Sequence, residues 1–341
     1  MKVKQRRNTG KSTLADVAAM AGVSTMTASR ALREPEKVSP KLREKIEAAV
    51  SELGYVTNLA ASTLASASSR LVTMVVPSLT TPGCAIISES LQSVLRPRGY
   101  DVMLAEDHYA AARGANLIAM LLSYNPAAMV QYNFDNSVES QRLLVNAGIP
   151  VLEIGGVIPS PIMMSVGANY GLAIKQLINA LAIQGFRHIA LLCAAHEHTI
   201  HQQILSGWHS AMLSLNQSPH RVISSSLPPD FSTGKKLLPE ILLTWPELDM
   251  LICTADEVAC GAIAACHASG ISVPAQLAVA GLGGSTVAEI CSPALTTVAV
   301  PYREMGTLAG KHVWSALEGK DVEECVTLET RLMMRASTAR R

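Results

Sequence analysis

The stretch Gly22–Leu32 reads GVSTMTASRAL, with hydroxyl residues at 24, 25, 27 and 29 leading into an arginine and two apolar residues. A buried helix has little use for that run; a helix lying on a phosphate backbone does. Ser24 fits an N-cap, and Ala28, Ala31 and Leu32 fit an inner face. Thr25, Met26, Ser29, Arg30 and Arg33 then share the opposite face, at i, i+1, i+4, i+5 and i+8. A face that is merely solvated carries more Glu and Lys.

Upstream, Thr13 and Asp16 read as the N-cap and acidic N3 residue of a first helix, with Leu14, Val17, Ala18 and Ala21 at helical spacing and Gly22 ending it. Downstream, Ser39 and Pro40 read as the start of a third helix, striped by Leu42, Ile46, Val50 and Leu53 and ended by Gly54. Two short helices about a Gly-containing turn, closed by a third, make a helix-turn-helix. Ser24, Thr27 and Ser29 suit phosphate oxygens, Arg30 suits a guanine edge, and Thr25 and Met26 suit base edges and thymine methyls. Thr13 joins them as a candidate DNA contact.

Charge agrees with that placement. The chain of 341 residues carries a net +1, but residues 1–60 hold eleven Lys/Arg against six Asp/Glu, and the remainder seventeen against twenty-one. A basic end on a mildly acidic body points to a polyanion. Hydrophobic residues at 49% and charged residues at 16% exclude a disordered chain and supply sizeable cores. The seven cysteines form no C-x-x-C pair and lie mostly in apolar runs, as reduced thiols do. No secretory signal or apolar run of bilayer length is legible, so the expected place is the bacterial cytoplasm, on the nucleoid through DNA.

Asn58–Arg70, NLAASTLASASSR, is Ala/Ser-rich and marginal as an isolated helix. Beyond it the runs RLVTMVVPS, YDVMLAE, AAMVQYN, PVLEIG, HIALLCA, RVISSS, MLICTA and LAVAGLG alternate with helical segments. Continuous apolar strands between helices mean parallel sheets covered on both faces. So long a body exceeds one such core, so two lobes are expected, with the break near Ser165–Asn169.

The segment TLADVAAMAGVSTMTASRALREPEKVSPKLREKIEAAVSELGYVTN resembles the DNA-binding headpiece of the lactose repressor/galactose repressor family. Met26 and the loop REPEKVS are similar to its gluconate repressor branch. GFRHIALL, SGWHSAM, SPALTTVAVPYREMG and RLMMRAST extend the likeness through the body, from Thr13 to Thr338. The resemblance implies an all-α helix-turn-helix headpiece over 1–57 and a hinge helix over 58–70. It implies a two-lobed α/β body over 71–341, like a type I periplasmic binding protein. The lobes are expected at about 71–166 with 297–325, and 167–296 with 326–341. It also implies that Thr25 and Met26 choose the operator, that Asn58 opens the hinge, and that Leu64 wedges into the minor groove. The partners it implies are pseudo-palindromic double-stranded operator DNA, a small-molecule effector between the lobes and a second copy of the chain, with no membrane.

The cleft departs from the family pattern. Gly83 and Cys84 stand where aromatics are common, Asn169 where Asp is usual, Ile204 where Arg binds effector, Ala255 where Asn is usual, and Gly283 where Asp meets sugar hydroxyls. A neutral sugar needs such fixed partners; the likeness to the gluconate repressor branch implies a sugar acid as the effector. The candidate effector residues are Ser78, Cys84, Glu106, Asp107, His108, Asn169, His201, Gln203 and Asp256, with His108 or His201 serving the carboxylate. HEHTIH lacks the spacing of a helical zinc motif, GLGGS lacks a phosphate-loop pattern, and no serine lies in G-x-S-x-G. No metal, cofactor or catalytic residue is expected. The rival reading is a cytoplasmic small-molecule-binding protein or sugar-processing enzyme with an incidental basic N-terminus.

Overall fold

The computed structural model describes residues 12–56, 69–107, 111–132, 137–195 and 199–340, the side chains of 33, 111–113 and 199 excepted. The chain divides into two compact units, Met1–Ser69 and Arg70–Arg341.

The first unit holds α1 (Leu14–Ala21), α2 (Thr25–Arg33) and α3 (Pro40–Leu53). Thr13 and Asp16 form the reciprocal cap: the Thr13 hydroxyl accepts the Asp16 N–H at 3.3 Å, and the Asp16 carboxylate accepts the Thr13 N–H at 2.7 Å. Gly22 ends α1 at φ 68°, a left-handed conformation that a side chain disfavours. Ser39 stands at the N-cap of α3 but makes no side-chain cap bond; the fixed φ of Pro40 suits the start instead. Val17, Ala31, Ile46 and Ala49 are buried between the helices, with Leu32, Leu42, Val50 and Leu53 packed around them. The Ser12 hydroxyl donates to the Leu53 carbonyl at 2.7 Å, joining the two ends of this unit.

The second unit contains two six-stranded sheets. The first is built from β1 (Leu71–Val76), β2 (Asp101–Glu106), β3 (Ala128–Tyr132), β4 (Val151–Gly156), β5 (Met164–Ala168) and β11 (Cys325–Leu328). Its order is β11-β5-β4-β3-β1-β2, all parallel. The second is built from β6 (Ile189–Ala194), β7 (Val222–Ser225), β8 (Met250–Cys253), β9 (Ala278–Gly283), β10 (Thr296–Ala299) and β12 (Arg331–Met333). Its order is β12-β10-β9-β8-β6-β7, parallel except for the β10–β12 pair.

On the first sheet, α4 (Pro82–Leu95) packs with α12 (Tyr302–Leu317), and α5 (Ala111–Leu122) with α6 (Val138–Val145). On the second, α7 (Tyr170–Ile183) pairs with α8 (Thr199–Ser214), and α9 (Phe231–Thr244) with α10 (Asp256–Ala268). The short α11 (Val287–Ile290) lies against α10. Cys84, Cys193, Cys253, Cys260 and Cys266 are buried free thiols. No helix among the described residues is long and apolar enough to cross a membrane.

The apolar runs become β1–β4 and β6–β9; four strands do not announce themselves. β10 carries Thr296 and Thr297, buried because their hydroxyls have partners: Thr338 Oγ1 at 2.6 Å and the Asp256 carboxylate at 2.5 Å. β5 ends in small residues, and β11 alternates exposed and half-buried positions at a sheet edge. Two lobe limits are corrected accordingly. Thr296–Ala299 pairs with β9 in the second sheet, so the chain returns to the first lobe only at α12. Cys325–Leu328 pairs with β5, so the first sheet keeps residues 326–328.

Candidate DNA-reading face and effector cleft

In the first unit, the Ser24 side chain caps α2 by accepting the Thr27 N–H at 3.1 Å, and the two hydroxyls lie 2.8 Å apart. Ala28 and Ala31 turn inward, fully and nearly fully buried, while Ser24, Thr25 and Arg30 are exposed and Met26 is 70% exposed. Met26 thus presents its thioether side chain on the outer face of the first turn of α2. Ser29 is half-buried beside them. Thr13 is exposed, and its hydroxyl is also bonded to the Asp16 carboxylate, at 2.7 Å. Those bonds from Thr13 hold the Asp16 carboxyl below its ordinary value. Asn58 and Leu64 lie outside the described residues.

In the second unit, a cavity of about 120 Å³ opens between the sheets at the carboxyl ends of their strands. Thr81–Cys84 and Tyr132 line it from the first lobe, with Tyr302 at the crossing into α12; Ile200, His201, Ile204, Ala255, Glu257 and Ser285 line it from the second. Tyr170 forms its floor, with its phenol bonded to those of Tyr302 and Tyr132; burial raises the Tyr170 and Tyr302 phenols far above their ordinary range. Tyr302 accounts for Gly83. A Cβ at 83 would lie 2.9 Å from the Tyr302 ring, so the aromatic absent after β1 is supplied from the far end of the chain. Cys84 is buried in the same wall, and burial pushes its thiol up to about 12, which makes it an apolar group and no anion.

The structure redistributes the other candidates. His201 lines the cavity. His108 lies outside the described residues. The Ser78 hydroxyl pairs with that of Thr80 at 2.8 Å, and Glu106 accepts the Leu79 N–H at 3.0 Å, so both brace the loop after β1 and do not line the cavity. Asp107 is buried and is likewise not a lining residue. Asn169 caps α7, accepting the Leu172 N–H at 2.9 Å, and is exposed in an outer groove. Gln203 turns away from the cavity toward Val157 of the first lobe.

Asp256 is buried under the glycines of β9 and does not line the cavity. Its carboxylate accepts the Thr297 hydroxyl at 2.5 Å and the Ser285 N–H at 2.7 Å, which fixes the loop after β9. A Cβ at 281 would stand 2.2 Å from its Oδ1. Burial raises its pKa against those bonds. The residue that does face the cavity is its neighbour Glu257, half-buried in the first turn of α10. Burial is the largest influence on its carboxyl and raises it. The pair Asp256–Glu257 follows strand β8, and residues at the carboxyl ends of strands are the ones that line such clefts; that was the available signal.

An exposed reading helix in a helix-turn-helix, and a two-lobed body with a cavity at the strand ends, define a DNA-binding regulator with a ligand-binding body. The family described as bacterial regulatory proteins, lacI family, matches residues 13–58, and a periplasmic binding protein-like domain matches 178–338. The chain is 34% identical over 313 residues to the HTH-type transcriptional regulator GntR of Escherichia coli (strain K12), covering 91% of this chain and 93% of that one. It is 31% identical over 340 residues to the regulator of that name from Pseudomonas aeruginosa, covering 98% of each. A crystal structure of a LacI family transcriptional regulator from Silicibacter pomeroyi superposes at a TM-score of 0.89 with 26% identity, covering 96% of this chain and 100% of that one. The chain belongs to the lacI family of bacterial regulatory proteins and is a DNA-binding transcriptional regulator.

Proposed function

We propose that the chain is a repressor that binds a pseudo-palindromic operator as a homodimer, under the control of a sugar acid held in the interlobe cleft. The observation that carries the DNA half is the face of α2, where Thr25, Met26 and Arg30 stand exposed opposite a wholly packed inner face. One such helix reads few base pairs, so two symmetric copies supply the specificity. Ser24, Thr27, Ser29 and Thr13 set the register on phosphates. Asn58 and Leu64 belong to the hinge that bends the operator.

The cleft half rests on three features. No Lys or Arg is among the described lining residues, and His201 is the imidazole among them. Helices α4 and α10 both begin at the cavity with no side-chain cap, so the positive ends of two helix dipoles meet there, an arrangement that favours an anion. The likeness to the gluconate repressor branch points the same way. A cavity of 120 Å³ is below the ~300–1,000 Å³ of occupied ligand sites, so the lobes part as a sugar acid enters.

Gel retardation on an operator selected from random DNA tests the first half. Tight retardation that weakens with salt, and a much weaker hold on unselected DNA, is the expected result. Equal affinity for both makes the chain a non-specific binder. A thermal-shift screen of D-gluconate, glucose and sugar phosphates tests the second; stabilisation by a neutral sugar and none by an acid overturns it.

A further inference from the structure

Glu257 is a carboxyl on the wall of a small, largely apolar cavity. Its charge is not spent on a salt bridge among the described residues. Asp256 beside it is turned into the β9 loop and fully engaged there. The groups that face the cavity from the surrounding elements are His201 on α8, the phenols of Tyr132, Tyr170 and Tyr302, the buried thiol of Cys84, and Ser285 next to Glu257. None of the described lining residues is a permanent cation. A ligand carboxylate that settles against the α10 wall of this cavity lies beside Glu257. Two carboxylates confined in a poorly hydrated site do not both stay ionised; one takes a proton.

We propose that Glu257 is the proton-binding residue of the effector site, so that an acid ligand enters with a proton that Glu257 holds. This rests on the sugar-acid reading given above. In the protonated form Glu257 changes from a group that repels the ligand to a hydrogen-bond donor for its hydroxyls or carboxylate. Burial raises the Glu257 carboxyl above its ordinary value, in the direction of that form. The consequence is a site that takes a hydroxy acid more readily than the matching polyol at pH 6 and loses that preference as the pH rises.

The test is calorimetry on the full chain with D-gluconate and with D-glucitol, which has the same hydroxyls and no carboxyl. Titrations from pH 6 to 8, in buffers of different ionisation enthalpy, count the protons taken up. For gluconate we expect net uptake and a dissociation constant that rises toward tenfold per pH unit where Glu257 is ionised, and for glucitol no slope. Glu257→Gln, which keeps the shape and removes the charge, should flatten the gluconate slope and tighten binding at pH 8. His201→Gln should keep the slope. Uptake that survives in Glu257→Gln and vanishes in His201→Gln places the proton on the histidine and overturns the assignment. Gluconate binding with no uptake overturns it while leaving the sugar-acid reading intact. Failure of gluconate to bind at any pH, with a neutral sugar binding instead, overturns both.

Discussion

The side-chain amide of Gln203 lies along the backbone of Val157, donating from Nε2 to its carbonyl at 2.8 Å and accepting its N–H at 3.4 Å. Gln203 belongs to α8 of the second lobe, and Val157 follows β4 of the first. The amide therefore acts as a clasp between lobes, on the same helix that presents His201 to the cavity. Gly156 makes room for it, since a Cβ there would stand 2.7 Å from Gln203 Nε2.

Gln203→Ala should lower stability by about 1–2 kcal/mol, the cost of two lost hydrogen bonds, and should alter the effector concentration needed for response. Gly156→Ala should reproduce the effect by pushing the amide off its seat. Denaturant unfolding of the two single variants and the double variant checks this. Fully additive losses mean that the glycine and the glutamine do not share one contact.

Arg30→Ala should cost ~1–3 kcal/mol of discrimination between the operator and unrelated DNA, as loss of a guanine contact does. Competition binding at fixed salt measures it. If both DNAs lose affinity equally, Arg30 holds only phosphate.

Leu64→Ser should reduce operator affinity and straighten the DNA while leaving the melting temperature of the body unchanged. Energy transfer between dyes at the two ends of the operator reads the bend. An unchanged transfer efficiency rejects the wedge.

Glu153 is buried in β4, where its carboxylate accepts the Ile162 N–H at 2.7 Å, and burial raises its pKa above 4.5. The folded chain then binds a proton more readily than the unfolded one, so stability falls as the pH rises from about 4.5 through the folded value. Glu153→Gln should raise the thermal midpoint at pH 7, and the gain should shrink to nothing by pH 4.5. A gain that persists at that pH shows that packing and not ionisation is responsible.

The headpiece was legible almost residue by residue. Caps, glycine stops and the Ala28–Ala31 face are local signals, and no distant contact overrides them. The eight apolar strands were legible for a similar reason. What escaped was set by partners far along the chain. Thr296 and Thr297 look like loop residues until Thr338 and Asp256 arrive to bond them. Gln203 and Asn169 are polar residues near a cleft; only the fold shows that one grips Val157 and the other caps α7. Gly83 reads as a missing aromatic because Tyr302, which fills its place, is over two hundred residues away. Asp256 and Glu257 are adjacent acids after one strand, and only the fold shows that Glu257 is the one facing the cavity.

Each sheet takes an edge strand from the short stretch Cys325–Met333, one through β11 and the other through β12. During synthesis, then, neither lobe is complete until almost the last described residues have left the ribosome. The headpiece, finished by Leu53, emerges far earlier. A nascent chain thus owns a reading helix long before it owns an ordered cleft. A message cut short before codon 325 yields a protein with DNA-facing residues, two unfinished sheets and no working sensor.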